Sequence, residues 1–311
     1  MTLDFIIEII LLVLLIYLFG LNNGSVFEGG LAGSGLYNYA SAAIIVGVGI
    51  FLGTLIQGRY TGTFAEEMGG VLSGNAAIIL LLVQLALFLA FTFINLPLSI
   101  TQSLVGGWLS VLLILGIIIK PGPMDSLFFW WVVSPFISMA FTAVFYKAVR
   151  RLSFHFPISS VSYTSRISAL VLVFYTSFVL GANNVGFIMG AFGLNYFILI
   201  LLAIAASIGA LGASRMSKAI GEDLIVAGPL GITSALLGGT TVLLFLTYLG
   251  LPASLTTTIL GALIGVGIAS KPRLFNKRYL VLVVLSWIMA FVMGFAIVYG
   301  IFAPLRVLLH F

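Results

Sequence analysis

The sequence predicts an all-α polytopic membrane protein of two inverted-topology repeats, each with about five segments and with broken helices or re-entrant hairpins. Apolar residues make up 62% of the chain and charged residues 7%, whereas a soluble domain carries about 25% charged residues. Ten stretches are apolar and long enough to cross a bilayer, which takes about 20 residues. Two polar motifs of the first half also recur, in the same order, in the second half.

The ten segments fall into two sets of five. The first set covers residues 3–35, 37–58, 75–95, 97–119 and 125–147. The second set covers residues 166–193, 195–214, 224–249, 252–270 and 279–303. The polar connection between the sets divides the chain into a first transmembrane repeat (1–147), a cytoplasmic linker (148–165) and a second transmembrane repeat (166–311).

The two halves share four sequence matches in the same order. Residues 20–23 (GLNN) recur as 181–184 (GANN), and residues 96–101 (LPLSIT) recur as 251–256 (LPASLT). Two weaker similarities pair 53–59 with 209–215 and 131–134 with 283–286. One match between apolar helices can arise by chance, but four in order indicate a duplication. Helix-breaking polar motifs inside duplicated hydrophobic segments are typical of secondary transporters.

An odd number of segments per repeat requires that the second repeat enters the membrane inverted relative to the first. The positive-inside rule tests this arrangement. With the N-terminus outside, the inside loops hold Lys147, Arg150, Arg151, Arg166, Arg215, Lys218, Lys271, Arg273, Lys277 and Arg278, and the outside loops hold Arg59, Lys120 and Arg306. The sequence therefore predicts a multi-pass protein of the cell membrane with both termini outside.

The first repeated motif predicts an interruption of a membrane helix. Residues 20–35 contain six glycines and residues 181–193 contain four, and glycine costs about 1 kcal/mol in a helix interior relative to alanine. Each asparagine pair can end one half-helix and cap the next, whose free N–H groups attract anions. A break at membrane depth must be buried or line a watery cavity, which places a site here. Close helix packing through small residues is the alternative; it explains the glycines but not the paired asparagines.

The second repeated motif predicts two helix starts rich in hydroxyl groups. Pro97 and Pro252 each precede a run of Ser and Thr, and proline favours the first turn of a helix. Hydroxyls beside free backbone N–H groups form a neutral nest of donors that suits a tetrahedral oxyanion. Ordinary capping within the helix is the alternative, and the pairing with two asparagine motifs favours the site. The predicted substrate-binding residues are Asn22, Asn23, Ser99, Thr101, Gln102, Asn183, Asn184, Ser254, Thr256 and Thr257.

Glu28 is the only carboxylate deep in a predicted apolar segment. A charge there is costly, so it is functional by default, as a proton carrier or as a cation ligand. Hydration near a membrane face is the alternative, and the sequence leaves both open. The predicted coupling-ion residues are Glu28, Asn23 and Asn184.

Enzyme chemistry is not predicted. The chain has no cysteine, no P-loop and no nucleophile–base pair. His155 and His310 lie outside the predicted segments without a metal-ligand partner, so we expect no catalytic residue, no metal site and no cofactor beyond a coupling Na⁺ or H⁺. The net charge of +5 resides in short loops and does not indicate nucleic-acid binding. Energy must then come from an ion or substrate gradient.

At these motifs the sequence resembles the inorganic phosphate transporter (PiT) family. Residues 20–35 match the family's GANDVANxxGTxxGSG without gaps, and residues 181–190 match its GANDVxNAxGP. Residues 97–107 and 252–267 match its PVSTTHxxVG-type segments. The resemblance spans nearly the whole chain. It implies two inverted repeats in a lipid bilayer, uptake of phosphate coupled to Na⁺ or H⁺, and a homodimer.

The chain departs from the PiT pattern at three pairs of positions. The family Asp is Asn23 and Asn184, the downstream Asn is Val26 and Phe187, and the family His is Gln102 and Thr257. Hard cations prefer charged oxygen, so the loss of two carboxylates argues against Na⁺ and leaves Glu28 as a proton carrier. Related sulfate permeases have lost the same Asp. We expect a transporter with phosphate as its first candidate substrate. The alternatives are an H⁺-coupled sulfate permease, an uncoupled anion channel and a receptor that binds the anion without flux.

Overall fold

The computed structural model of the chain describes residues 3–33, 35, 37–68, 72–118, 120–153, 158–193, 195–224, 228–270 and 277–309. In the first half the helices are α1 (Leu3–Gly33), α2 (Tyr39–Gln57), α3 (Arg59–Met68), α4 (Gly74–Phe93), α5 (Ile100–Leu115) and α6 (Pro121–Ser153). In the second half they are α7 (Ile158–Leu180), a π-helical turn (Gly181–Val185), α8 (Gly186–Ala191), α9 (Tyr196–Leu211), α10 (Ser214–Leu224), α11 (Gly228–Tyr248), α12 (Leu255–Ser270) and α13 (Lys277–Leu309).

The ten predicted hydrophobic segments correspond to helices. Seven helical stretches of the described chain are long and apolar enough to cross a bilayer. α5, α9 and α12 are also apolar but have only 16 residues each, a length of about 24 Å at about 1.5 Å per residue. α3 and α10 were not predicted as separate helices; they are short and polar, and they follow α2 and α9. The helices confirm the prediction of an all-α polytopic membrane fold.

The predicted break in the first asparagine motif is wrong. α1 continues without interruption from Leu3 to Gly33, through both asparagines. The second motif does not separate two half-helices either, because α7 passes through the π-helical turn directly into α8. In lipid an opened backbone finds no water to bond with, so the chain keeps its helical hydrogen bonds even at a glycine-rich sequence.

Gly20 of α1 serves close helix packing, which was the alternative interpretation of this motif. A Cβ atom on Gly20 would lie 1.9 Å from the carbonyl oxygen of Ala206 in α9. From the opposite side, a Cβ atom on Gly209 of α9 would lie 2.0 Å from the carbonyl oxygen of Tyr17. Small residues let two helix backbones approach each other, which drives helix association in membranes.

We expect Gly20→Ala to destabilise the protein by about 1–3 kcal/mol, the usual range for overpacking. The added methyl group would have to displace the backbone of α9, because the nearest atoms there belong to the main chain. Gly300→Ala in α13 is the matched control, since no atom of the described residues lies within 4 Å of its added Cβ. Thermal unfolding of the purified protein in detergent measures the difference. Equal melting temperatures for the two variants would contradict the tight contact between α1 and α9.

Two buried segments without helical structure lie between α4 and α5 and between α11 and α12. A residue with positive φ follows the incoming helix in each case, Asn95 at 56° and Gly250 at 72°. The chain then runs without helical structure until α5 or α12 begins. Residues 97–100 and 251–255 are buried, unlike a loop at a protein surface. α5 and α12 are therefore the second arms of two hairpins whose bends lie inside the protein.

The two halves of the chain interlock. α1 packs against α9 and α10, and α7 and α8 pack in turn against α2 and α3. The last helix of each half covers the hairpin of the other half, because α6 lies on α12 and α13 lies on α5. The buried apolar side chains of both halves form one cluster. The asparagine motifs and the hairpin bends are set into this shared core.

Candidate functional site

Asn22 fixes the bend before α5 by hydrogen bonds to three parts of the hairpin. The backbone N–H of Leu98 donates to Asn22 Oδ1 at 2.8 Å. Asn22 Nδ2 donates to the carbonyl oxygen of Leu96 at 3.1 Å and to Thr92 Oγ1 at 3.2 Å. The side chain is fully buried. These hydrogen bonds occupy both ends of the Asn22 amide, and they hold the bend in position.

Asn183 fixes the bend before α12 in the same way. The backbone N–H of Ala253 donates to Asn183 Oδ1 at 2.8 Å. Asn183 Nδ2 donates to the carbonyl oxygen of Leu251 at 3.0 Å and to Thr247 Oγ1 at 2.9 Å. We call this arrangement the asparagine clamp, and it occurs once in each half. The sequence pointed to the asparagines and the bends as paired motifs, but it did not single out the two threonines.

The second asparagine of each motif makes fewer contacts. Asn23 Nδ2 donates to the carbonyl oxygen of Leu98 at 3.2 Å, so it also touches the first bend. Asn184 Nδ2 donates to the carbonyl oxygen of Leu180 at 3.2 Å, within its own helix. In the part of the chain that the structure describes, no donor bonds to Oδ1 of either asparagine. These two neutral oxygens occupy positions where the PiT pattern has carboxylates.

The hydroxyl groups of the two proline motifs lie in pairs at the starts of α5 and α12. Ser99 Oγ and Thr101 Oγ1 are 3.3 Å apart, and Ser254 Oγ and Thr256 Oγ1 are 2.8 Å apart. All four side chains are buried. The structure brings the members of each pair together, but no hydrogen bond between described residues joins one pair to the other.

The two helix starts differ in their capping. Ser254 Oγ accepts the backbone N–H of Thr257 at 3.3 Å, and Thr257 Oγ1 donates to the carbonyl oxygen of Ser254 at 2.7 Å. The predicted site residue Thr257 is therefore engaged in closing the first turn of α12. Ser99 stands at the same position before α5, but its side chain makes no capping hydrogen bond.

Gln84 is a polar residue of α4 that the sequence analysis did not single out. Its Nε2 donates to the carbonyl oxygen of Ser103 at 3.1 Å, and Ser103 Oγ donates to its Oε1 at 2.6 Å. Both residues are fully buried. This pair fastens the first turn of α5 to α4. A lone glutamine inside an apolar segment was the signal that could have revealed it.

Glu28 is fully buried in α1, beside α10. Ser217 Oγ donates to Glu28 Oε2 at 2.7 Å, while no described residue forms a hydrogen bond with Oε1. Met189 stands at the position of the second motif that matches Glu28, so the pair of Glu28 and Ser217 exists in one half only. Full burial argues against the hydrated alternative. A carboxylate at this place needs a proton or a cation to compensate its charge.

Glu8, near the start of α1, is a second carboxylate with a buried side chain. One oxygen of Glu8 accepts the backbone N–H of Gly74, the first residue of α4. A carboxylate is stabilised by the partial positive charge of a helix N-terminus. Glu8 therefore holds the start of α4, a role for which its position near the start of α1 gave no signal.

Phe187 occupies a position where the PiT pattern has asparagine. Its ring centroid lies 6.2 Å from that of Trp108 in α5 and 6.3 Å from that of Phe64 in α3. The contact with Trp108 joins the first hairpin to the second asparagine motif. Of the remaining candidates, His155 and His310 lie outside the described residues.

Comparison with known proteins gives a match along almost the entire chain. The model of the phosphate transporter family matches residues 19–198 and 181–310. The chain belongs to the phosphate transporter family. It is therefore an integral membrane protein of a family of transporters, not of enzymes.

One similar protein and one solved structure agree with this family assignment. A protein of Methanocaldococcus jannaschii, named provisionally as a phosphate permease, is 26% identical over an alignment of 306 residues that covers 93% of this chain and 95% of that protein. A solved structure of a protein named the sodium-dependent phosphate transporter matches with a TM-score of 0.85 and 20% identity, covering 98% of this chain and 100% of its own. The structural match shows that this phosphate transporter family member shares the fold.

Proposed function

We propose that this family member is a secondary active symporter of an inorganic tetrahedral oxyanion, phosphate first, that works by alternating access. The observation that carries the proposal is the asparagine clamp, which in both halves holds a buried, hydroxyl-bearing helix start inside a membrane protein. Neutral donors at a helix start bind an anion without a buried cation. The names of the two relatives, a phosphate permease and a sodium-dependent phosphate transporter, support phosphate.

The site residues divide into two roles under this proposal. Asn22 and Asn183 position the bends and do not touch the anion. The anion is bound by Asn23, Ser99, Thr101, Gln102, Asn184, Ser254, Thr256 and Thr257. Because these side chains are almost completely buried, the anion enters only when the hairpins or the helices around them move.

Alternating access requires two gates, and the duplicated hairpins supply a matching pair. We place residues 1–147 and 166–311 as repeats inverted in the membrane, with both termini outside, since the lysines and arginines then concentrate in the inside loops. An inverted pair of repeats can exchange conformations about a shared site. The functional unit that we propose is a homodimer, as the resemblance implies.

The coupling ion that we propose is H⁺, carried by Glu28. Its buried carboxylate has one hydroxyl donor and one unpartnered oxygen. The asparagines at positions 23 and 184 offer only neutral oxygens, which are weak ligands for a hard cation. Na⁺ is the alternative coupling ion, because the protein of the matching solved structure is named a sodium-dependent phosphate transporter. The same loss of carboxylates favours sulfate as the second candidate substrate, since sulfate brings no proton and needs donors alone.

Uptake into proteoliposomes tests the proposal. We expect radiolabelled phosphate to accumulate above its equilibrium level under an inward H⁺ gradient, and sulfate to compete weakly. Accumulation driven only by Na⁺ would overturn the assignment of H⁺ while keeping the symporter. Accumulation of sulfate instead of phosphate would identify a sulfate permease. Uptake that never exceeds equilibrium under either gradient would identify a channel.

A further inference from the structure

The start of α5 is a buried helix end without a side-chain cap. Ile100 and Thr101 are buried, and Ser99 caps none of the backbone N–H groups of the first turn. The first N–H groups of a helix have no partner within the helix, so a buried end needs side chains, water or a ligand to satisfy them. At the start of α12, Ser254 Oγ accepts one of these N–H groups. At the start of α5, the side chain of Ser99 accepts none.

Gln102 is the second unusual feature of the same turn. It is 8% exposed, and its Oε1 atom is completely buried and has no hydrogen-bond partner among the described residues. Side chains of a helix lean toward its N-terminus, so an amide in the first turn of α5 leans toward the open helix end. A buried amide oxygen without a donor is unfavourable. It indicates that a ligand supplies the missing partner.

The neighbouring side chains do not compete for the Gln102 amide. Ser99 and Thr101 pair with each other, and Ser103 is held by Gln84. Thr257, at the matching position of α12, bonds to its own turn. The two halves are therefore unequal. The first hairpin presents a helix start without a side-chain cap together with an unpartnered amide oxygen, while the second hairpin caps one N–H group of its own helix start.

We infer that Gln102 selects a protonated oxyanion by accepting its O–H at Oε1. The inference rests on the proposed function and concerns the same site. Phosphate and arsenate carry at least one O–H at neutral pH, whereas sulfate carries none. The open N–H groups of α5 and the hydroxyls beside them donate to the other oxygens. Sulfate in this position leaves Oε1 without a donor, and a site with an unpaired buried group rejects such an analogue.

The test is the ratio of phosphate to sulfate affinity in the purified full-length protein. Wild-type protein should bind phosphate and arsenate at least tenfold more tightly than sulfate. Gln102→Met keeps the length of the side chain but removes the acceptor, and it should lower that ratio about tenfold or more. Ser103→Ala is the control in the same helix, because the Ser103 hydroxyl donates to Gln84 and is not free for an anion, and it should leave the ratio unchanged. Gln102→Ala serves as a second variant where the methionine variant does not fold.

The outcomes separate the inference from the proposed function. A wild-type protein that prefers phosphate, with an unchanged ratio in both glutamine variants, overturns the role of Gln102 and leaves phosphate transport standing. A wild-type preference for sulfate also overturns it, because the acceptor then selects nothing. A wild-type protein that binds none of the three anions overturns the proposed function as well. A ratio that falls only in the Gln102 variants supports the inference.

Discussion

The double variant Ser99→Ala/Thr101→Ala is expected to lose phosphate binding while it remains folded. A hydrogen bond to a charged group contributes about 1.5–3 kcal/mol, so two of them amount to about 3 kcal/mol or more and about a hundredfold in affinity. In the protein these two hydroxyls bond to each other and not to another helix, so their removal costs the fold little. Phosphate affinity by calorimetry, together with the melting temperature, measures both effects.

Ser103→Ala is the control for that variant. Ser103 lies on the same helix, but its hydroxyl donates to Gln84 and is not free for an anion. Its loss leaves Gln84 Oε1 without this donor, which costs about 1–3 kcal/mol of stability. We therefore expect a lower melting temperature with unchanged affinity, the opposite of the double variant. Phosphate affinity equal to that of the wild type in the double variant would show that the start of α5 does not bind the anion.

The equivalent pair in the second hairpin allows a comparison between the halves. Ser254 Oγ caps the first turn of α12 as well as bonding to Thr256. Loss of a serine cap costs about 1 kcal/mol of stability. Alanine at these two positions should therefore weaken binding together with stability. Loss of phosphate binding without loss of stability is expected only for the pair in the first hairpin.

The sequence was sufficient to predict much of this arrangement, because its signals are local or repeated. Ten apolar segments follow from hydropathy alone, and the asparagine and proline motifs stand out because each occurs twice. The asparagine clamp joins these same motifs, Asn22 to the bend at 96–98 and Asn183 to the bend at 251–253. Two recurring polar motifs in an apolar chain are good candidates for partners, since buried polar groups need hydrogen bonds.

Other features could not be predicted, because they depend on contacts between distant parts of the chain. The glycines of α1 suggest a broken helix until Ala206 of α9 is known to lie against Gly20. The partner of Glu28, Ser217, is 189 residues away. The different capping of α5 and α12 arises from motifs that look alike in sequence. Local propensity cannot settle such cases, since tertiary contacts override it.

The variant Glu28→Gln is expected to abolish H⁺-driven accumulation of phosphate. Glutamine keeps the size of the side chain and can still bond to Ser217, so the packing of α1 against α10 is preserved. It cannot release and take up a proton. Binding of phosphate and exchange of internal for external phosphate should therefore persist, while the internal concentration no longer rises above equilibrium. Proteoliposome uptake with and without an H⁺ gradient separates the two activities.

Glu8→Gln is the matched control, since it removes the other buried carboxylate of the same helix. Glu8 accepts the N–H of Gly74 at the start of α4, and a carboxylate at a helix N-terminus contributes about 0.3–1 kcal/mol. This variant should lose some stability and still accumulate phosphate. Undiminished accumulation in Glu28→Gln would show that the proton is carried elsewhere. Equal loss in both variants would mean that any buried charge in α1 supports the fold and that neither residue is specific to coupling.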